Sequence, residues 1–315
     1  MNKLFHKFFN NLNNYSSNKD ESNNFNINST NFNTEIYENI YNSSNLVENL
    51  FAKYSSEWWK SDGPMSMLHY MNIIRLNYIN DIVNTVFGND KKLDIIDIGC
   101  GGGLLSIPLA RIGHSVVGLD IEEDLISIAK NKLEEIKIRK NIERKKNYKE
   151  SDAKFFVCDA SKKEQLNDII KNKFDIVIMM EIIEHVKEKE DFLLNCINLL
   201  KPGGIVFLST INRNLTSFFK AIVCAEYIIK CVPKKTHNYI DFIKPNEILE
   251  IFEKVKNYGI NEDNTNSHTN NKHKYNNNYY IIDISGIKYN IFNKKLSISN
   301  KIDTNYLMCL GFYPN

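Results

Sequence analysis

Two clusters in this sequence have residue types and spacing suited to chemistry. The first is Asp97-Ile98-Gly99-Cys100-Gly101-Gly102-Gly103, which follows an apolar run and precedes a helical pattern. Glycines in such a loop permit positive φ and let the backbone approach a ligand with no Cβ in the way. A dinucleotide cradle of the G-x-G-x-x-G type would place a third glycine where Leu104 stands. Asp97, two residues ahead of the first glycine, would repel a pyrophosphate and favour a cationic ligand. Asp120 closes the next apolar run, placed to accept both hydroxyls of a ribose. A glycine loop alone is also an ordinary structural turn, but Asp97, Gly99, Gly101 and Asp120 together favour a site for S-adenosylmethionine.

The second cluster is Glu181-Ile182-Ile183-Glu184-His185, with two carboxylates and an imidazole at i, i+3 and i+4. In a helix or turn all three would project from one face. The oxygen-rich set suits Mg²⁺, and the histidine also tolerates Zn²⁺. The alternative is a solvated helix N-terminus, with the acids favoured by the dipole and His185 bonded locally. His69 and His237 are further basic side chains with no firm role.

These residues need a scaffold, and the apolar patterning supplies one. LDIID from Leu93, SVVGLD from Ser115, KFFVCD from Lys154, FDIVIMM from Phe174 and GIVFLST from Gly204 are near-continuous apolar runs. The segments between them carry apolar residues at periods of three and four, as in Leu125, Ile128, Ala129 and Leu133, or Phe192, Leu193, Cys196, Ile197 and Leu200. The alternation predicts an α/β fold with a parallel sheet covered by helices on both faces. Lys201-Pro202-Gly203-Gly204 is expected to stop the helix before the fifth strand.

Composition narrows the classes. The 315 residues are 43% hydrophobic and 25% charged, with 40 Lys plus Arg against 38 Asp plus Glu and a net charge of +2. That balance argues against nucleic acid as a partner. The six cysteines contain no CxxC pair, so neither a disulfide framework nor a thiolate zinc site is expected. Residues 1–45 combine an acid-free, presequence-like start with an Asn-rich tract, and 46–315 form the main domain. Within it, 257–278 is an Asn-rich loop insertion. Residues 211–240 hold an amphipathic insertion, with Leu215, Phe218, Phe219, Ile222 and Val223 flanked by lysines, the make-up of a helix in a membrane interface or of one packed on its own domain.

DIGCGGG, the strand ending at Asp120 and LLKPGG resemble a class I S-adenosylmethionine-dependent methyltransferase, a Rossmann-like fold with a seven-stranded sheet. FAKYSSEWWKSDGPMSMLHYMNIIR from Phe51, EIIEHV from Glu181, LSTINRN from Leu208, AEYIIKCVPKKTHNYIDFIKP from Ala225, GIKYN from Gly286 and DTNYL from Asp303 resemble the ubiquinone-biosynthesis O-methyltransferase family. The likeness spans roughly residues 50 to 255 and 279 to 313. It implies that Arg75 contacts the methyl donor, where the bland role would be to tie the N-terminal helix to the sheet. It places Gly99 along the donor's amino-acid portion, Asp120 on the ribose, Asp159 by the adenine or merely as a cap, and Met180 in the donor pocket.

The likeness further implies a divalent ion, Mg²⁺ first, on Glu181, Glu184 and His185, which would then be the catalytic residues, and a lid formed by the stretch holding Trp58 and Trp59. The implied reaction is O-methylation of a polyprenylated catechol, at the matrix face of the mitochondrial inner membrane, beside other quinone-biosynthesis proteins. Rival readings are a nicotinamide dehydrogenase, a methyltransferase of another small acceptor, and an idle donor-binding scaffold.

Overall fold

The computed structural model describes residues 57–61, 63, 65–89, 91–143, 152–218, 239–261, 279–290 and 295–313. The presequence-like segment, the centre of the amphipathic insertion and His237 lie outside the described residues.

Among the described residues eight strands form one sheet: β1 (Asp94–Ile98), β2 (Ser115–Asp120), β3 (Asp152–Val157), β4 (Phe174–Met180), β5 (Leu200–Ile211), β6 (Tyr279–Asn290), β7 (Lys295–Ser299) and β8 (Asn305–Phe312). Their order is β3-β2-β1-β4-β5-β8-β6-β7. The first five are parallel, and β8, β6 and β7 continue the sheet antiparallel. The sheet therefore has one strand more than expected. In β7, Leu296 is buried on the face that also holds the first helix, so the strand extends the core at the sheet edge.

Alternation with two buried faces explains the unbroken apolar runs. Ile95, Ile176, Ile178, Ile205 and Phe207 face one layer, with helix α1 (Ser66–Phe87) supplying Ile74, Tyr78, Ile79 and Ile82 and α2 (Ser106–Arg111) supplying Leu109. Ile96, Ile98, Val177, Met179, Val206 and Leu208 face the other, which also holds Leu166 of α4 (Lys163–Ile169), Phe192, Leu193 and Cys196 of α5 (Lys189–Ile197), and Ile248 and Phe252 of α7 (Pro245–Asn261). Between these lie α3 (Glu123–Glu143) and α6, a single turn (Leu215–Ser217). α7 runs to Asn261, into the stretch expected as a loop.

Lys201-Pro202-Gly203-Gly204 does not act as the expected helix stop. The helix ends at Ile197, and the four residues form an irregularity inside β5, between the pairs Phe174–Leu200 and Ile176–Ile205. Pro202 donates no ladder bond and Gly203 takes φ 79°, which a bulge accommodates. Lys201 reaches back to Asp94 at 2.5 Å and Asp175 at 3.1 Å, pinning the bulge to β1 and β4. Strand order reverses between β1 and β4, and ligands of open α/β sheets bind beyond the carboxyl ends at such a point.

Candidate active site

The carboxyl ends of β1, β2, β4 and β5 bring together residues that the chain separates widely. At the end of β1 the glycine loop turns back over β2: the N–H groups of Gly99 and Cys100 both donate to the Leu119 carbonyl, at 2.7 and 2.9 Å. Asp120, closing β2, accepts from the Gly101 N–H at 2.7 Å through Oδ2 and from the Glu122 N–H at 3.0 Å through Oδ1. One carboxylate thus fixes the loop while remaining at the edge where a ribose would lie. Burial pushes the Asp120 carboxyl up, and the N–H groups of Glu122, Gly101 and Ile121 pull against that rise. Ile121 is an exposed apolar side chain beside it.

Asp97 is buried, accepts from the Ser106 hydroxyl at 2.5 Å and does not point outward as a free acid. Burial pushes it up to about 7; Ser106 opposes this, Asp120 adds to it, and Arg75 opposes it. A cation arriving at this loop would favour the ionised form.

The Trp58 ring lies over the loop: a Cβ on Gly102 would come 2.4 Å from its Cδ1, and one on Gly101, where φ is 53°, 3.0 Å from its Cζ2. Glycine is required at these positions because an indole occupies the space. Trp59 Nε1 donates to the Gly102 carbonyl at 2.9 Å, and His69 Nε2 lies 2.9 Å from the Trp58 carbonyl. The two tryptophans hold the loop from above, and His69 braces them from α1.

Arg75, on α1, is buried and places Nη2 2.9 Å from Glu181 Oε1, with Nη1 3.4 Å from Asn72 Oδ1. Its Nε is buried with no hydrogen-bond partner among the described residues, an orphaned charged donor beside the glycine loop that a ligand acceptor would satisfy.

Glu181 follows β4 and is the one non-glycine residue with positive φ among those described, 52°. The conformation is held by its N–H, donated to the Ser209 carbonyl at 2.9 Å, and by its carboxylate, which accepts from Arg75, from the Ser209 hydroxyl at 2.9 Å and from Asn305 Nδ2 at 3.4 Å to both oxygens. Such strain persists where surroundings over-determine it, commonly at functional sites. Glu184, in the short 3₁₀ turn Ile183–His185, accepts from Thr210 Oγ1 at 2.9 Å and shares a hydrogen bond with Glu181. Burial first, and the Glu181 charge second, push the Glu184 carboxyl well above the usual range.

The three expected metal ligands do not converge. His185 is exposed at the end of the turn, and among the described residues no group of three His, Cys, Asp or Glu side chains is arranged to hold a metal ion. A single 3₁₀ turn does not stack i, i+3 and i+4 as an α-helix does. Glu181 and Glu184 remain a contacting pair. Met180, ending β4, is half-buried and packs on the α1 layer. Asp159 closes its own turn, accepting from the Ser161 N–H at 3.0 Å and its hydroxyl at 2.5 Å, with Lys162 at 3.3 Å. Sequence reading passed over Ser106, Ser209, Thr210, Asn305 and Ile121; the position after a strand-end acid was the one available signal, for Ile121.

The fold, the glycine loop and the strand-end acids define a class I S-adenosylmethionine-dependent methyltransferase. The methyltransferase domain family matches residues 67–257. The chain is 34% identical over 266 residues to the ubiquinone biosynthesis O-methyltransferase of Rickettsia felis, covering 84% of this chain and 92% of that protein, and 35% identical over 259 residues to the one of Coxiella burnetii, covering 82% and 92%. Among solved structures, magnesium protoporphyrin IX methyltransferase from Synechocystis PCC 6803 with bound SAH shares the fold at a TM-score of 0.50 and 17% identity, covering 86% of this chain and 100% of that one. The chain belongs to the ubiquinone biosynthesis O-methyltransferase family and is an S-adenosylmethionine-dependent O-methyltransferase.

Proposed function

We propose that the chain methylates a catechol hydroxyl of a polyprenylated ubiquinone precursor, a dihydroxybenzoate or a demethylubiquinol. The observation that carries this is the ion pair between Arg75 and Glu181, which ties the donor end of the site to a half-buried pair of carboxyls. The sulfonium carbon is electrophilic already, so the protein's task is alignment for in-line displacement and removal of the acceptor proton. Asp120 holds the ribose, Arg75 the donor's carboxylate and Asp97 favours its positive end. Trp58 and Trp59 exclude water from above. Glu181, held by three side chains, receives a hydrogen bond from the acceptor hydroxyl, and Glu184 stands behind it as a second carboxyl.

Glu181 and Glu184 fit a hard divalent cation as two oxygen ligands, since contact between two half-buried carboxyls is relieved by positive charge and Mg²⁺ commonly keeps waters in its remaining positions. Such an ion would lower the pKa of the reacting hydroxyl. The test is methyl transfer from labelled donor to a short-tailed dihydroxybenzoate, with and without chelator. Transfer to the catechol oxygen supports the reading, and no transfer in donor-binding protein overturns it. Full activity after chelation would remove the ion and leave Glu181 as the proton acceptor.

The same reading places the chain peripherally on the matrix face of the mitochondrial inner membrane, near other quinone-biosynthesis proteins. Its supports are the acid-free N-terminal residues and the apolar stripe of the sequence that begins at Leu215, itself an exposed side chain. Among the described residues no helix is long and apolar enough to cross a membrane. Flotation with anionic liposomes and import into isolated mitochondria test these points; a chain that ignores both belongs elsewhere.

A further inference from the structure

Away from the carboxyl ends of the parallel strands, the structure buries a polar cluster that the reaction does not use. Asp283 of β6 lies inside the α1 layer, and its Oδ2 accepts from the Tyr78 hydroxyl at 2.8 Å and from the Ser285 hydroxyl at 2.7 Å. All three residues are buried. A carboxyl in such a place is costly unless bonded, and an apolar side chain would fill the space at no such cost. Its geometry is specific: β6 slips register against β8 between Ile281 and Asp283, leaving Ile281 exposed and Asp283 turned inward.

Tyr78 stands one turn from Arg75 on the same face of α1. Its ring packs edge-on against Phe207 of β5, centroids 5.9 Å apart. The ring therefore sets the height of the helix above the sheet, while the directed bond to Asp283 sets its rotation and register. Rotation of α1 by a few degrees would swing the Arg75 guanidinium away from Glu181, since the long side chain amplifies the movement.

We propose that Asp283 and Tyr78 are positioning residues for the methyl donor, acting through Arg75: the Tyr78–Asp283 bond locks α1 in the register that aims Arg75 at Glu181 and the donor. This rests on the reading that Arg75 holds the donor's carboxylate. Ser285 supports Asp283 from its own strand.

A double-mutant cycle on the full chain, read by calorimetric titration with S-adenosylhomocysteine, tests it. Arg75→Lys alone tests the underlying reading, and unchanged affinity there removes Arg75 from the donor site. Tyr78→Phe keeps the ring on Phe207 and deletes only the hydroxyl. It should weaken binding by about fivefold or more and raise the donor KM alike, while kcat changes by less than about twofold. In the Arg75→Lys background the same change should cost almost nothing. Unchanged affinity in Tyr78→Phe with a lowered melting temperature would make the cluster a stability element only, and full additivity of the two losses would equally overturn the proposal. Should Tyr78→Phe not fold, Asp283→Asn replaces it in the cycle, with the same outcomes deciding.

Discussion

Arg75 and Glu181, 106 positions apart in the chain, meet at 2.9 Å in an ion pair, buried on the arginine side and half-buried on the acid side, that joins α1 to the carboxyl end of β4. Neither is dispensable to the other. Removing the acid leaves a buried guanidinium whose Nε already has no partner among the described residues, a loss approaching the roughly 3 kcal/mol of breaking a fully buried pair on one side. Glu181→Ala should lower stability by that order in thermal denaturation, although relief of the positive φ does not come with Ala. Glu181→Gly removes the backbone strain and should recover about 1 kcal/mol of the loss. Equal stabilities of the two variants would show that φ 52° at this position carries no strain.

On the proposed reading Asp120 has two duties, and its loss should show both. Asp120→Ala would remove the proposed ribose acceptor and free the N–H groups of Gly101 and Glu122. Donor affinity is expected to fall by about 2 kcal/mol or more by calorimetry. Hydrogen exchange at Gly101 should rise even without donor, which loss of a ribose contact alone would not produce.

The Asp97 carboxyl, raised to about 7, dictates a pH dependence. Its unfolded value is 3.8, so between about pH 4 and 7 the unfolded chain has released a proton that the native protein keeps. The unfolded state binds fewer protons there, and stability falls as pH rises through that window, by at most about 4 kcal/mol from this group. Asp120 and Glu184, also raised by burial, contribute slopes of the same sign. Asp97→Asn should flatten the profile of denaturant midpoint against pH; a slope identical to wild type would show Asp97 ionised throughout. With the cationic end of the donor near this loop, as proposed, its affinity should climb as pH passes 7, and Asp97→Asn should abolish the climb.

Gly102→Ala puts a methyl group 2.4 Å from Trp58 Cδ1, in a buried ring that has no flexible end to yield. The Trp58 segment must lift from the loop, at about 1–3 kcal/mol of overpacking. Tryptophan fluorescence should shift toward that of exposed indole, and donor affinity should fall with it. An unchanged spectrum would mean that Trp58 is not seated on the loop in solution.

Much of this arrangement is legible in the sequence because it rests on local signals. Asp97 and Asp120 announce themselves as acids ending apolar runs, and the glycine loop by its composition. Ser209, Thr210 and Asn305 carry no such signal. They become site residues only because β5 runs parallel beside β4 and β8 returns antiparallel beside β5, placing Asn305 opposite Ile211 and within reach of Glu181. Spacing also misled at Glu181 to His185, where helical periodicity was assumed and a 3₁₀ turn with φ 52° at its entry turns His185 outward. The LLKPGG segment reads as a stop because proline and glycine end helices; a bulge satisfies both residues equally well inside a strand.

The strand order has a consequence for how the enzyme comes into being. Of the eight described strands β8 is synthesised last, yet it lies in the interior of the sheet, between β5 and β6. Until residues 305–312 have emerged, β5 has an open edge and the β6–β7 hairpin has nothing to dock on. The nascent chain can assemble the parallel half and its glycine loop early, but Glu181 waits for Asn305, and Tyr78 waits for Asp283. A ribosome-bound or prematurely terminated product would thus carry the glycine loop without the Asn305 contact to Glu181, together with two unpaired strand edges that invite chaperone binding or aggregation.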